Sequence, residues 1–382
     1  MAKLGEVCKV SPSTKNIERQ GAWLLNLDMV EQQTGRVIEY KYVGEDDLNG
    51  SIIQFDTENV LYSKLRPNLN KVVLPPKDGF STSELLPLRP DASVLNKDYL
   101  AAFLRSDSFV TWAVSKTAGA KMPRLGTKDL MNAEIPVPSI EQQKKISEKF
   151  KKLEQLISLR KQQLAKLDEL VKARFVETFG DMLLNSLGWS EKPLECLADI
   201  VSGITKGRKT TETDLQEVPY MAVSNVKNGY IDWTTVKTIL ATRQEMEQYR
   251  LLPDDILMTE GGDPDKVGRG AIIKNPLENS IHQNHIFRVR LDESELLPSF
   301  FAEYLQHQKA KRYFLGCAKQ TTGIASINMR QLKSLPVLLP PLSLQNQFAA
   351  FVERVDQQKQ TVQQSLEKLE LLKKALMQEY FG

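Results

Sequence analysis

Shifted against itself by 202 residues, the C-terminal part of each half of this chain repeats. Leu125 falls on Ile327, Leu130 on Leu332, Pro138 on Pro340 and Gln143 on Gln345. The register continues through Ile146 and Phe348, Leu153 and Val355, Leu164 and Leu366, and Leu167 and Leu369, and it closes with Phe179-Gly180 on Phe381-Gly382. Segment 125–180 matches 327–382 without a gap. A chain that carries so long a segment twice is expected to fold one plan twice. The starts of the halves also correspond, at a different offset: Leu4, Val7 and Val10 match Leu194, Leu197 and Ile200. "WLLNLDMV" (23–30) parallels "PYMAVSNV" (219–226), and "NVLYSKLRP" (59–67) parallels "DILMTEGGDP" (255–264). The middles are much less alike, so the central parts are expected to have diverged.

The repeated segment reads as helix. No proline or glycine interrupts it between Pro138 and Gly180, or between Pro341 and Gly382. Apolar residues at Ile146, Phe150, Leu153, Ile157, Leu164, Leu167 and Val171 keep a four-three spacing. Phe348, Val352, Val355, Val362, Leu366, Leu369 and Leu376 do so in the second copy. Spacing of this kind over several heptads predicts coiled-coil packing, with Ile146, Leu153, Leu164, Leu167, Phe348, Val355, Val362 and Leu369 in the seam. Arg160, Lys359 and Lys373 interrupt that seam. As one helix, residues 141–178 would span about 57 Å.

The remaining parts alternate short β-branched or aromatic runs ("GSIIQF", "KVVL", "AIIKN", "HIFRVRL") with turn signals such as "PNLN" and "KNGY". Each then offers one helix, "DYLAAFLRSDSF" or "PSFFAEYLQHQKAKRYF". The predicted class is therefore α+β. The layout is a mixed globule over 1–138, a helix over 139–180, a linker over 181–188, a second globule over 189–340 and a second helix over 341–382.

With 382 residues, 41% apolar and 26% charged, the chain can bury two cores. A net charge of +3 selects neither nucleic acid nor membrane, although basic residues gathered on one face would still bind DNA. The three cysteines (Cys8, Cys196, Cys317) are far apart, which argues against a disulfide framework. The start lacks the apolar core of a signal peptide, and no run is long enough to span a membrane. The expected location is the cytoplasm, with no membrane partner.

Several basic loops are candidate DNA contacts. "SKLRPNLNK" carries Lys64, Arg66, Asn68 and Lys71, although a solvated charge run is the default reading of such a stretch. "TAGAKMPRLGTKDL" carries Lys121 and Arg124, and "KQTTGIASINMRQL", at the corresponding place in the second half, carries Arg330. Plain linker chemistry would look similar. "DIVSGITKGRKTT" (199–211) mimics a phosphate loop, but Gly203 to Gly207 is one residue short and Arg208 separates the glycine from Lys209. Lys206, Arg208 and Lys209, with Thr210 and Thr211, suit DNA phosphates instead, or a solvated turn. In "HQNHIFRVRL" the two histidines have no third ligand. Gln283 and Asn284 there are the side chains suited to adenine, or else a polar turn before a buried strand. No methyltransferase, metal-nuclease, dinucleotide or nucleophile-elbow motif occurs, so no catalytic or metal-binding residue is expected.

Duplicated, lacking catalytic motifs, with two divergent globules and two similar long helices, the chain resembles the specificity subunits of type I restriction–modification systems over essentially its whole length. The resemblance rests on "NAEIPVPSIEQQKKI" (132–146) and "KSLPVLLPPLSLQNQF" (333–348), each followed by its helix. The starts and the stretches "ILMTEGG" and "HQNHIFRV" add to it. It implies two target recognition domains, each reading one part of a split, asymmetric double-stranded DNA sequence, held apart by two helices packed antiparallel. It also implies a non-catalytic chain that positions methylase subunits and motor/nuclease subunits, with S-adenosylmethionine, ATP and magnesium on those partners and no cofactor here. One departure is Leu344-Gln345 where the family's proline run is followed by Glu-Gln, as in Glu141-Gln142. Two other readings stay open on the residues alone: a coiled-coil scaffold carrying two protein- or glycan-binding domains, and an enzyme without a visible motif.

Overall fold

In a computed structural model of the chain, residues 1–48, 51–119, 121–209, 213–263, 267–321 and 324–382 are described. Thr210 and Thr211 lie outside them. The chain forms two compact units, Met1–Gln162 with Val362–Gly382, and Gln163–Thr361. Each unit holds one globular domain and a part of each long helix.

The long helices run Ile140–Phe179 and Leu342–Phe381. In the first unit, early residues of one helix meet late residues of the other. Phe150 stacks on Phe381, with ring centroids 5.9 Å apart, and Lys149 Nζ donates to Tyr380 Oη at 2.9 Å. In the second unit Phe175 and Phe179 pack on Phe348 at 5.5 and 5.4 Å. The packing is antiparallel, as coiled-coil spacing allows. Leu153, Leu167, Phe348, Val355 and Val362 are buried in the seam, and Ile146, Leu164 and Leu369 are half-buried. The three interruptions each find a partner on the opposite helix. Arg160 donates to Ser365 Oγ at 3.2 Å, Lys373 bonds Glu154 at 2.9 Å, and Lys359 bonds Asp168 at 2.7 Å. A long polar side chain at a seam lays its stem on apolar neighbours and keeps its charge at the rim.

The globular domains share more than their sequences announce. In the first, a four-stranded antiparallel sheet runs in the order Cys8–Val10, Leu85–Pro90, Val60–Ser63, Val72–Val73. In the second, Ala198–Ser202, Ile286–Leu291, Ile256–Thr259 and Gly270–Ile272 take the same order. A second sheet contains one parallel pair in each domain: Ala22–Leu25 with Gly79–Thr82, and Gln216–Met221 with Ile281–His282. In both, one face of the antiparallel sheet is covered by helices rich in buried Leu, Phe and Tyr. The central parts, expected to have diverged, thus keep one framework. A shift of 201 residues displays it, placing Arg89 on Arg290, Asp91 on Asp292 and Ser93 on Ser294. Arg89 bonds the buried Asp56 at 2.7 Å and Arg290 bonds the buried Asp255 at 2.7 Å. Asp91 and Asp292 each accept from the serine two residues on, an Asx turn made twice.

The single helix expected after this strand is two helices in each domain. Lys97–Leu104 is followed by Asp107–Ser115, and Pro298–Gln306 by Gln308–Cys317. Ser106 Oγ accepts from the Phe109 N–H and His307 Nδ1 from the Lys309 N–H, so each starts a new helix where the first would continue.

Each long helix is tied to its domain by a fully buried glutamine. Gln143 Oε1 accepts from the Asn96 N–H at 2.8 Å, while its Nε2 donates to the carbonyls of Val94 and Pro138. Gln345 Oε1 accepts from the Leu297 N–H at 2.9 Å, while its Nε2 donates to the carbonyls of Glu295 and Pro340. Asn96 and Leu297 are the N-caps of equivalent helices. The glutamine that corresponds to Gln345 is therefore Gln143, one residue after the Glu141-Gln142 pair.

Candidate nucleic-acid interface

In the first domain, loop 64–71 leaves the strand Val60–Ser63 through a short 3-10 turn, Pro67–Leu69, flanked by Arg66 and Asn70 in left-handed backbone (φ 50° each). The loop rests on the hairpin Thr117–Ala118 with Arg124–Leu125. The Arg66 N–H donates to the Pro123 carbonyl at 2.8 Å, its guanidinium reaches the Lys121 carbonyl at 3.5 Å, and Leu65 bridges Arg124. Lys64, Arg66, Lys121 and Arg124 are thereby gathered on one surface. Arg124 is bound to Glu84 at 3.1 Å, and Asn68 is exposed, its carbonyl accepting from Gln33 Nε2. Lys71 departs from the expectation of an outward charge. Its ammonium donates to the Leu27 carbonyl at 2.5 Å, and burial holds its pKa below the usual lysine value.

In the second domain the loop after Ala198–Ser202 is fastened to segment 282–284. Ile204 N–H donates to the His282 carbonyl at 2.8 Å, and Asn284 N–H donates to the Ile204 carbonyl at 3.0 Å. Gly203 permits this approach, because a Cβ there would lie 2.0 Å from the His282 carbonyl oxygen. The exposed Lys206 and Lys209 are thus on the loop fastened to Gln283 and Asn284. Gln283 Oε1 accepts from the Val223 N–H at 3.3 Å. Arg208 is turned inward, its guanidinium paired with Glu245 and donating to the Leu240 carbonyl at 3.1 Å. Arg330 is exposed on Met329–Lys333, just after the hairpin Lys319–Thr321 with Ile324–Ser326. Among the described residues the next element after the 203–209 loop is the strand Gln216–Met221, whereas a phosphate loop leads into a helix.

His282 is wholly buried, its ring nitrogens facing the carbonyls of Tyr249 (3.1 Å) and Val201 (3.3 Å). Burial pushes its pKa down to about 4, outweighing those carbonyls. Among the described residues no group of three His, Cys, Asp or Glu is placed to hold a metal ion.

Two further residues, Glu84 and Glu260, were not singled out in the sequence, and His285 was weighed there only as a metal ligand. The Lys64 N–H donates to the Glu84 carbonyl and the Glu260 N–H to the His285 carbonyl, both at 3.0 Å. The Leu125 N–H donates to the Lys64 carbonyl (2.9 Å) and the Ile327 N–H to the Glu260 carbonyl (2.8 Å). Lys64 and Glu260 therefore occupy one framework position, and Glu84 and His285 another. His285 Nδ1 lies 2.6 Å from Glu260 Oε2. With Val223, Gly261 and Ser326 they line a concavity of about 350 Å³. The 201-residue shift that sets Glu84 on His285 was the available signal.

The family model "Type I restriction modification DNA specificity domain" matches twice, over residues 1–169 and 187–371. The specificity subunit of type I restriction enzyme EcoKI from Escherichia coli K12 is 24% identical over 287 residues, 71% of this chain and 60% of that protein. That of StySPI from Salmonella potsdam is 28% identical over 286 residues, again 71% and 60%. The chain thus spans about 60% of the length of these two relatives. A solved type I restriction–modification S subunit from M. genitalium superposes with a TM-score of 0.59 at 15% identity, covering 100% of this chain and 95% of the other, a likeness of fold.

Proposed function

Given that the chain belongs to the type I restriction modification DNA specificity domain family, we propose that it is the DNA-reading specificity subunit of a type I restriction–modification complex. Each globular domain reads one half of a split, asymmetric target in double-stranded DNA. The observation that carries this is the double family match on two domains that share a framework while their loop faces differ. The DNA-facing set is Lys64, Arg66, Asn68, Lys121 and Arg124 in the first domain, and Lys206, Lys209, Gln283, Asn284 and Arg330 in the second.

The chain itself does no chemistry in this reading. Methylase subunits bring S-adenosylmethionine, and motor/nuclease subunits bring ATP and magnesium. The long helices supply their docking surface, which the exposed Leu156, Leu159, Leu170, Leu371 and Leu372 support. No helix among the described residues is long and apolar enough to cross a membrane. Nothing in the comparisons supports the scaffold reading for protein or glycan.

The test is duplex binding as a function of salt, followed by exchange of residues 1–137 for the matching region of a relative. Binding should weaken steeply as salt rises, because neutralised phosphates release counterions. The exchange should alter one half of the selected sequence and leave the other. A flat salt dependence, or an exchange that alters both halves, would sink the proposal.

A further inference from the structure

We infer that Glu260, held by His285, reads an amino-bearing base in the half-target of the second domain. The inference rests on the DNA-reading function proposed above. Its starting point is the framework position shared by Lys64 and Glu260, each fixed by the same two backbone hydrogen bonds. The first domain presents an ammonium there, which suits a phosphate. The second presents a carboxylate, on a residue whose N–H donates to the His285 carbonyl, at the end of the segment to which the loop of Lys206 and Lys209 is fastened.

A carboxylate repels phosphate, and when ionised it can only accept hydrogen bonds. The donors it can meet on the major-groove edge of DNA are the exocyclic amino groups, N4 of cytosine or N6 of adenine. Glu260 is also restrained. His285 Nδ1 donates to Oε2 at 2.6 Å, and the Glu260 side chain is 34% exposed while that of His285 is 57% exposed. The pair borders a concavity of about 350 Å³ opened by Gly261, where a Cβ would lie 3.1 Å from the Ala325 carbonyl oxygen. His285 is a positioning residue and Glu260 the reader. Gln283 and Asn284 immediately precede His285 in the chain, and Gln283 Oε1 accepts from the N–H of Val223, which also lines the concavity.

The experiment is selection from a randomised duplex library by the full chain and its variants at fixed salt. The unaltered chain should enrich a two-part motif with cytosine or adenine at one position of one part, and the enriched base says which amino group is bound. Glu260→Gln should relax that position alone, by about tenfold in preference, and leave the other half-motif intact. His285→Ala should relax the same position less. Glu260→Lys should erase the preference and steepen the salt dependence by about one phosphate, as Lys64 would. If Glu260→Gln lowers binding to all sequences together with the melting temperature, it has damaged the fold, and Glu260→Asp decides instead: retention of the same base at reduced preference is expected. A motif unchanged in Glu260→Gln, or in Glu260→Asp where that variant decides, overturns this inference and leaves the proposed function standing. An unaltered chain that enriches no motif at any salt overturns both.

Discussion

The two globular domains use one framework and differ where they face outward. Gln143 and Gln345 make the same three buried hydrogen bonds. Arg89 with Asp56 and Arg290 with Asp255 make the same ion pair. Yet Lys64 and Glu84 give way to Glu260 and His285 on identical backbone hydrogen bonds. Buried polar groups tolerate little change, because each unmet partner costs about 1–3 kcal/mol. Surface side chains on a fixed backbone change nearly freely. The framework can therefore stay constant while the surface acquires a different specificity.

The comparison breaks first at the helices. Proline at Leu153 or Leu366 removes a helical hydrogen bond and clashes with the preceding turn, at a cost of about 3 kcal/mol or more. Each variant should lose helicity by circular dichroism and fail to hold its partner subunits on size-exclusion chromatography. Retention of both would place the docking surface elsewhere.

Acid should separate the domains next. The parallel pairs set Ser81 opposite Leu25 and His282 opposite Met221, so only the second domain buries an imidazole at this place. With a folded pKa of about 4 against an ordinary 6.5, the unfolded state binds more protons between those values. Stability is full above about pH 6.5 and lost as pH falls toward 4, by up to about 3 kcal/mol. Calorimetry should show one unit weakening over that window, and His282→Gln should remove most of the dependence, leaving the smaller part due to His307, whose pKa burial also lowers. Equal acid sensitivity in both units would count against the asymmetry.

The clasps should behave alike. Gln143→Ala and Gln345→Ala each strand a buried N–H and two carbonyls, costing about 1–3 kcal/mol apiece. A silent Gln345→Ala beside a damaging Gln143→Ala would show that the repeat is kept in geometry but not in energy.

The smallest effects sort the basic residues. Lys64→Ala or Lys209→Ala should lower the salt slope of DNA binding by about 1 for all sequences. Lys71→Ala and Arg208→Ala should leave that slope unchanged and lower the melting temperature slightly, since their charges are spent on Leu27 and on Glu245. Identical behaviour of the two sets would erase the distinction between outward and inward cations.

Much of this was legible in the sequence, for physical reasons. Helical periodicity is local, so the seam from Ile146 to Leu369 could be read directly, and a gapless repeat over 125–180 and 327–382 required the second copy to match the first. Three things depended on residues far apart in the chain. The shared sheets rest on pairings such as Ile256–Thr259 with Ile286–Leu291, which periodicity does not specify. The direction of a long cationic side chain depends on what lies within its reach, and only folding brought Leu27 to Lys71 and Glu245 to Arg208. Glu260 and His285, 25 residues apart, became a pair because two backbone segments share a hydrogen bond. Sequence determined the duplication and the helices because both are written in neighbouring residues. Tertiary structure decided which charges face outward, because that depends on contacts no local pattern encodes.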